Sequence, residues 1–161
     1  MPAPSWITPC LWFDTEGEEA AVFSTSVFDD FRVTSVSRYG SAGPGPEGSA
    51  MMVAFELGGQ PFTALNGGPQ FTFDEAISFQ VHCETQDEVD TYWATLSDDG
   101  EEGQCGWLKD RFGVSWQIVP GALLEEVLGD PDPDRAARAM QAMLGTKKID
   151  IDEIKRAADR A

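Results

Sequence analysis

Residues 77–96 read ISFQVHCETQDEVDTYWATL, and residues 7–28 read ITPCLWFDTEGEEAAVFSTSVF. An offset of 70 positions sets Ile7 on Ile77, Thr8 on Ser78, Leu11 on Val81, Glu18 on Glu88 and Phe23 on Trp93. The chain therefore contains one unit twice, and an internal repeat of this kind decides the fold before any single motif does. Each copy opens with a strand. Ile77, Phe79 and Val81 alternate with Ser78, Gln80 and His82, a period of two. Each copy then turns helical at Thr-x-x-Glu: Thr15 with Glu18, and Thr85 with Glu88. This spacing suits a capping box, in which the Thr hydroxyl and the Glu carboxylate satisfy free N–H groups of the first turn. Apolar stripes follow at helical spacing: Ala20, Phe23 and Val27 in the first copy, and Val89, Tyr92, Trp93 and Leu96 in the second.

Working outward, the first copy continues with strands over residues 31–39, 51–57 and 60–66, the last two joined by a tight hairpin at Gly58-Gly59. The second continues over residues 103–110, where the strand is split or irregular, and 114–119, with the turn at Arg111-Phe112-Gly113. Residues 41–49 contain Gly43-Pro44-Gly45-Pro46 and form a loop, either a surface excursion or a flap over a binding site. Beyond Pro120-Gly121 the pattern is helical: residues 122–128, residues 134–144 with Ala136, Met140, Met143 and Leu144 on one side, and residues 151–160 capped by Asp150. Asp130-Pro131-Asp132-Pro133-Asp134 lacks the Gly and Glu that a calcium loop requires, and it reads as the lead-in to the second of these helices. Asn66-Gly67-Gly68-Pro69 lacks the Lys of a phosphate loop and reads as a turn. The expected fold class is α+β: two βαβββ repeats (residues 5–70 and 75–120) forming curved mixed sheets around a cavity, with a helical extension over 121–161, all in one domain of residues 1–161.

Composition narrows the function classes. The 161 residues carry 28 acidic and 11 basic side chains, a net charge of −17. A phosphate-binding surface needs clustered Lys and Arg, so neither nucleic acid nor an anionic membrane is an expected partner. No apolar run approaches the length of a membrane helix, and Met1–Trp6 has no secretory pattern. Cys10, Cys83 and Cys105 are odd in number and without C-x-x-C spacing. They read as free, buried thiols of a cytoplasmic protein.

The wording of three stretches is more specific: Ile7-Thr8-Pro9-Cys10-Leu11-Trp12-Phe13-Asp14, Phe79-Gln80-Val81-His82-Cys83, and Lys109-Asp110-Arg111-Phe112-Gly113-Val114-Ser115-Trp116-Gln117-Ile118. Together they resemble the PhnB-like branch of the vicinal oxygen chelate (glyoxalase/bleomycin-resistance/dioxygenase) superfamily, over about residues 5–145. The resemblance implies a homodimer and a pocket walled by curved sheets. Many such proteins carry the name demethylubiquinone methyltransferase, but no Gly-rich strand-to-helix loop stands here to hold a methyl donor. The superfamily's metal ligands map near Thr8, Thr63, Ser78 and Gln117. Of these only Gln117 has a side chain that could bind a metal, so the expectation is no metal and no cofactor. Strand parity adds Cys10, Trp12, Gln80 and Ser115 to the cavity face, and these eight residues are the expected contacts for a small-molecule ligand. His82, the only histidine, is the candidate catalytic residue, as a general base. The leading reading is a non-metal binding module. The rivals are an enzyme of the superfamily (lyase, isomerase, dioxygenase, or acid–base through His82) and an interaction protein that docks through its helical tail.

Overall fold

Gly58 and Gly59 both hold positive φ, 57° and 82°, the conformation that a two-residue hairpin asks of its central residues. Around this turn the first sheet assembles. This computed structural model describes residues 7–28 and 30–160, with Phe31 as backbone only. Met1–Trp6, which the sequence reading took as free of a secretory signal, lie outside the described residues. The strands are β1 (Cys10–Phe13), β2 (Phe31–Arg38), β3 (Ala50–Leu57) and β4 (Gln60–Asn66), with helix α1 (Gly17–Val27) after β1. Their order in the sheet is β1-β4-β3-β2. β1 runs parallel to β4, and the other neighbours are antiparallel.

The second sheet repeats the plan. Its strands are β5 (Phe79–His82), β6 (Glu101–Glu102), β7 (Trp107–Lys109) and β8 (Ser115–Val119), with α2 (Gln86–Ser97) after β5. The order is β5-β8-β7-β6. The registers match as well: Cys10 pairs with Thr63 where Gln80 pairs with Gln117. The strand expected over 103–110 is split, with β6 and β7 flanking a turn in which Cys105 holds φ 56°. The chain divides into two compact units, Met1–Phe73 and Asp74–Ala161.

In the first unit α1 lies on β2, β3 and β4. It buries Gly17, Ala20, Ala21 and Ser24; of the expected stripe Ala20 is buried, and Phe23 and Val27 are not. Small side chains let the helix approach the sheet closely, while Phe23 and Val27 stand only half-buried at its border. Its expected capping box does not form either. Glu16, not Thr15, is the N-cap, and it makes no side-chain cap bond. Gly17 N–H instead donates to Asn66 Oδ1 at 2.7 Å, and Glu18 pairs with Arg38. The capping device from the neighbouring strand replaces the local one. α2 keeps its box: Glu88 N–H donates to Thr85 Oγ1, and Glu84 N–H to Glu88 Oε2 at 2.7 Å. Val89, Trp93 and Leu96 are buried, with Leu108, Val114, Trp116 and Ile118 buried on the sheet beside them.

The extension forms α3 (Gly121–Leu128), α4 (Pro133–Leu144) and α5 (Ile151–Asp159). Asp132 caps α4 with Pro133 in the first turn, and Asp150 caps α5. Leu124, Val127, Ala139, Ile149, Ile151, Ile154 and Ala158 make a core of their own. The expected inner side of α4 is corrected. Met140 and Leu144 are exposed, and Ala139, fully buried, marks the inner face, because the α4–α5 crossing admits only a small side chain there. Segment 146–151 is stitched to the rest of the second unit. Cys105 and Gly106 N–H donate to Thr146 and Lys147 C=O at 2.8 Å, and Gln86 bonds both Ile149 C=O and Ile151 N–H.

Candidate functional site

Alternation along β8 sends Trp116 and Ile118 toward α2 and leaves Ser115 and Gln117 on the opposite face. Register decides their neighbours. Gln80, Gln117 and Trp107 lie in one row, and Ser115 and Lys109 in the next. Gln117 Nε2 donates to Ser78 Oγ at 2.8 Å, and Gln80 Nε2 reaches Gln117 Oε1 at 3.5 Å. Ser78, Gln80, Ser115 and Gln117 are thus brought together, as strand parity expects. Ile77, expected to face the helix, precedes β5 and is exposed. The pleat that would turn it inward begins only at Phe79.

Ser115 is 2% exposed, yet its Oγ has no hydrogen-bond partner among the described residues. It borders a small cavity of about 130 Å³ lined also by Glu75, Trp107 and Lys109. Lys109 Nζ pairs with the Glu75 carboxylate. That bond holds the Glu75 carboxyl below, and the Lys109 ammonium above, their ordinary values. Trp107 and Lys109 were not among the expected site residues. Their face follows from the pairing of β7 with β8, and the sequence reading, which left the strand over 103–110 split or irregular, assigned no parity to it.

In the first unit the equivalent face carries Cys10 beside Thr63, with Trp12 beside Leu65. Trp12 Nε1 donates to Gly68 C=O at 2.8 Å, and its ring meets Phe71 edge-on at 4.9 Å. Thr8 precedes β1 and is exposed, so it stands outside the strand on which the sequence reading placed it. Cys10 is exposed and Cys105 half-buried, so of the three thiols expected in the interior only Cys83 is buried. Burial raises the Cys83 thiol to about 11. His82 ends β5, exposed, and no hydrogen bond reaches its ring among the described residues.

The metal positions implied by the resemblance do not suit a divalent ion. Thr63 in one unit and Ser78 with Gln117 in the other offer neutral hydroxyls and an amide, with no imidazole, thiolate or carboxylate. Among the described residues no group of three or more His, Cys, Asp or Glu side chains could hold a metal ion.

Residues 5–119 match the family described as 3-demethylubiquinone-9 3-methyltransferase. Among solved structures the chain is 39% identical to the PhnB protein of Bacillus cereus, with a TM-score of 0.67, over 71% of this chain and 98% of that one. This chain belongs to the PhnB-like family that this description names. Protein PA1353 from Pseudomonas aeruginosa (19% identity, TM-score 0.56, covering 70% and 94% of the two chains) shares the fold. So does an Arabidopsis thaliana gene product (14%, TM-score 0.51, 71% and 98%). No curated protein matches. The PhnB-like match ends at residue 119, before α3. Its strand-to-helix connections are Asp14-Thr15-Glu16 and Cys83-Glu84-Thr85, neither with the glycines that bring a backbone close to a nucleotide-like methyl donor. Among the described residues no helix is long and apolar enough to cross a membrane.

Proposed function

We propose that this PhnB-like chain binds a small molecule on the open face of its second sheet, without a metal. In this reading Ser115, Gln117 and Lys109 orient the ligand and Trp107 supplies apolar contact. The observation that carries the proposal is the Ser115 hydroxyl. A buried polar group without a partner costs about 1–3 kcal/mol, and a ligand group reaching it from the adjoining cavity removes that cost. We also infer a cytoplasmic homodimer. β2 is a sheet edge bearing the partly exposed Val36, and such edges are commonly covered by another chain.

Ser115→Ala tests the central claim without knowledge of the ligand. It should leave thermal stability unchanged or raised, because it removes an unsatisfied group. In a screen of cationic and aromatic compounds followed by calorimetry, it should weaken any hit tenfold or more. A loss of more than about 1 kcal/mol of stability would show the hydroxyl to be structural and sink the proposal.

A further inference from the structure

A larger cavity of about 470 Å³ lies within the first unit, where the first turn of α1, the loop 41–49 and the end of β4 meet. Its walls are fixed. Tyr39 donates its O–H to Asn66 C=O, and Asn66 in turn accepts from Gly17 N–H. The loop closes over Tyr39: Tyr39 N–H donates to Ser49 C=O, and Gly48 N–H to Tyr39 C=O, each at 2.9 Å. A Cβ on Gly43 would sit 2.6 Å from the Tyr39 ring, and one on Gly45 closer still, so glycine is what lets the loop lie there. Three carboxylates line the space, Asp14, Glu18 and Glu19. Among the described residues the one cation lining it, Arg38, already pairs with Glu18 at 3.2 Å. Asp14 and Glu19 have no partner among the described residues.

We propose that this cavity is a second binding site, for an organic cation with an ammonium or guanidinium head on a short aliphatic stem. Its volume falls in the range of small-molecule pockets. Two carboxylates without a salt-bridge partner in a concave wall hold a negative potential that the N-terminus of α1 only partly offsets, while Tyr39 and the loop prolines offer apolar contact to the stem. The carboxylates do not converge as a metal cage would, which favours an extended cation over a bare ion. The unit's own composition reinforces the field: among residues 1–73 the only Lys or Arg are Arg32 and Arg38. The site is separate from the face around Ser115, and either can fail without the other.

Calorimetric titration of the full chain with agmatine tests it. The expected result is saturable binding of one molecule per chain with Kd below about 1 mM. It should weaken tenfold or more in the Asp14→Asn/Glu19→Gln variant and stay unchanged in Glu125→Gln/Asp152→Asn, which removes the same charge elsewhere. Equal weakening in both variants would reduce the effect to diffuse attraction and overturn the proposal. So would the absence of saturable binding, or preferential binding of inorganic phosphate that is lost in Arg38→Gln.

Discussion

Asp110 sits 4% exposed in the turn between β7 and β8, accepting from Trp116 Nε1 and from the N–H groups of Phe112 and Val114. Burial pushes its carboxyl above the ordinary range, and these hydrogen bonds only partly oppose the push. The folded state therefore keeps this proton to higher pH than the unfolded state. Its contribution to stability is full below the ordinary carboxylate pKa and is lost as pH rises through the folded value. Asp110→Asn should flatten that fall in urea-unfolding curves collected from about pH 4 to neutral. Identical slopes for variant and parent would refute the assignment. Asp110→Ala should cost about 2–4 kcal/mol, because the Trp116 indole and two backbone donors lose their acceptor. The thiols give a second residue-level contrast. With its thiol near 11, Cys83 is about one part in a thousand thiolate at pH 8. A maleimide should therefore label exposed Cys10 promptly and Cys83 only on unfolding, read by mass spectrometry. At this scale the sequence was legible wherever parity alone decides. Ser115 and Gln117 alternate with tryptophan and isoleucine on one unbroken strand. Lys109 was not legible, because its strand is interrupted at residues 103–106 and too short to show a period of its own.

The two helices that start each repeat look alike in sequence but are secured differently. Thr85→Ala should cost about 1 kcal/mol, the usual worth of an N-cap. Thr15→Ala should cost almost nothing, because the first turn of α1 is held by Asn66. Asn66→Ala should be the costlier change in the first unit, since it also removes the bond from Asn66 Nδ2 to Ala50 C=O. Paired chemical denaturation of the three variants checks the order, and a large loss in Thr15→Ala would contradict the cap geometry. The strands, the hairpin at Gly58-Gly59, the lead-in at 130–134 and the cap at Asp150 were readable because each rests on neighbours in the chain. The buried sides of α1 and α4 were not. Both are chosen by how closely another element approaches, and there Ala21 and Ala139 outrank the larger Phe23 and Met140.

On the scale of the whole molecule, the repeat was visible as an offset of identical and similar residue types, and the matching sheet orders confirm it. The attachment of the extension was not visible, because Gln86 reads as an ordinary residue of a helix's first turn. Gln86→Ala leaves Ile149 C=O and Ile151 N–H without their partner and should destabilise the second unit by about 1–3 kcal/mol. Hydrogen exchange at Cys105 and Gly106 should quicken in the same variant, whereas the strands of the first unit should keep their protection.

The stitching of 146–151 onto Cys105 and Gly106 also has a meaning in time. A ribosome delivers the chain from its N-terminus, and units fold as they emerge. The first unit finds its sheet, helix and cap within its own early residues. The second must wait, because the turn leading into Trp107 and Lys109 gains its last two backbone partners only after Thr146 and Lys147 have been made. During synthesis the half that carries Ser115 is therefore the half that stays unfinished longest, and the one most in need of shelter before release.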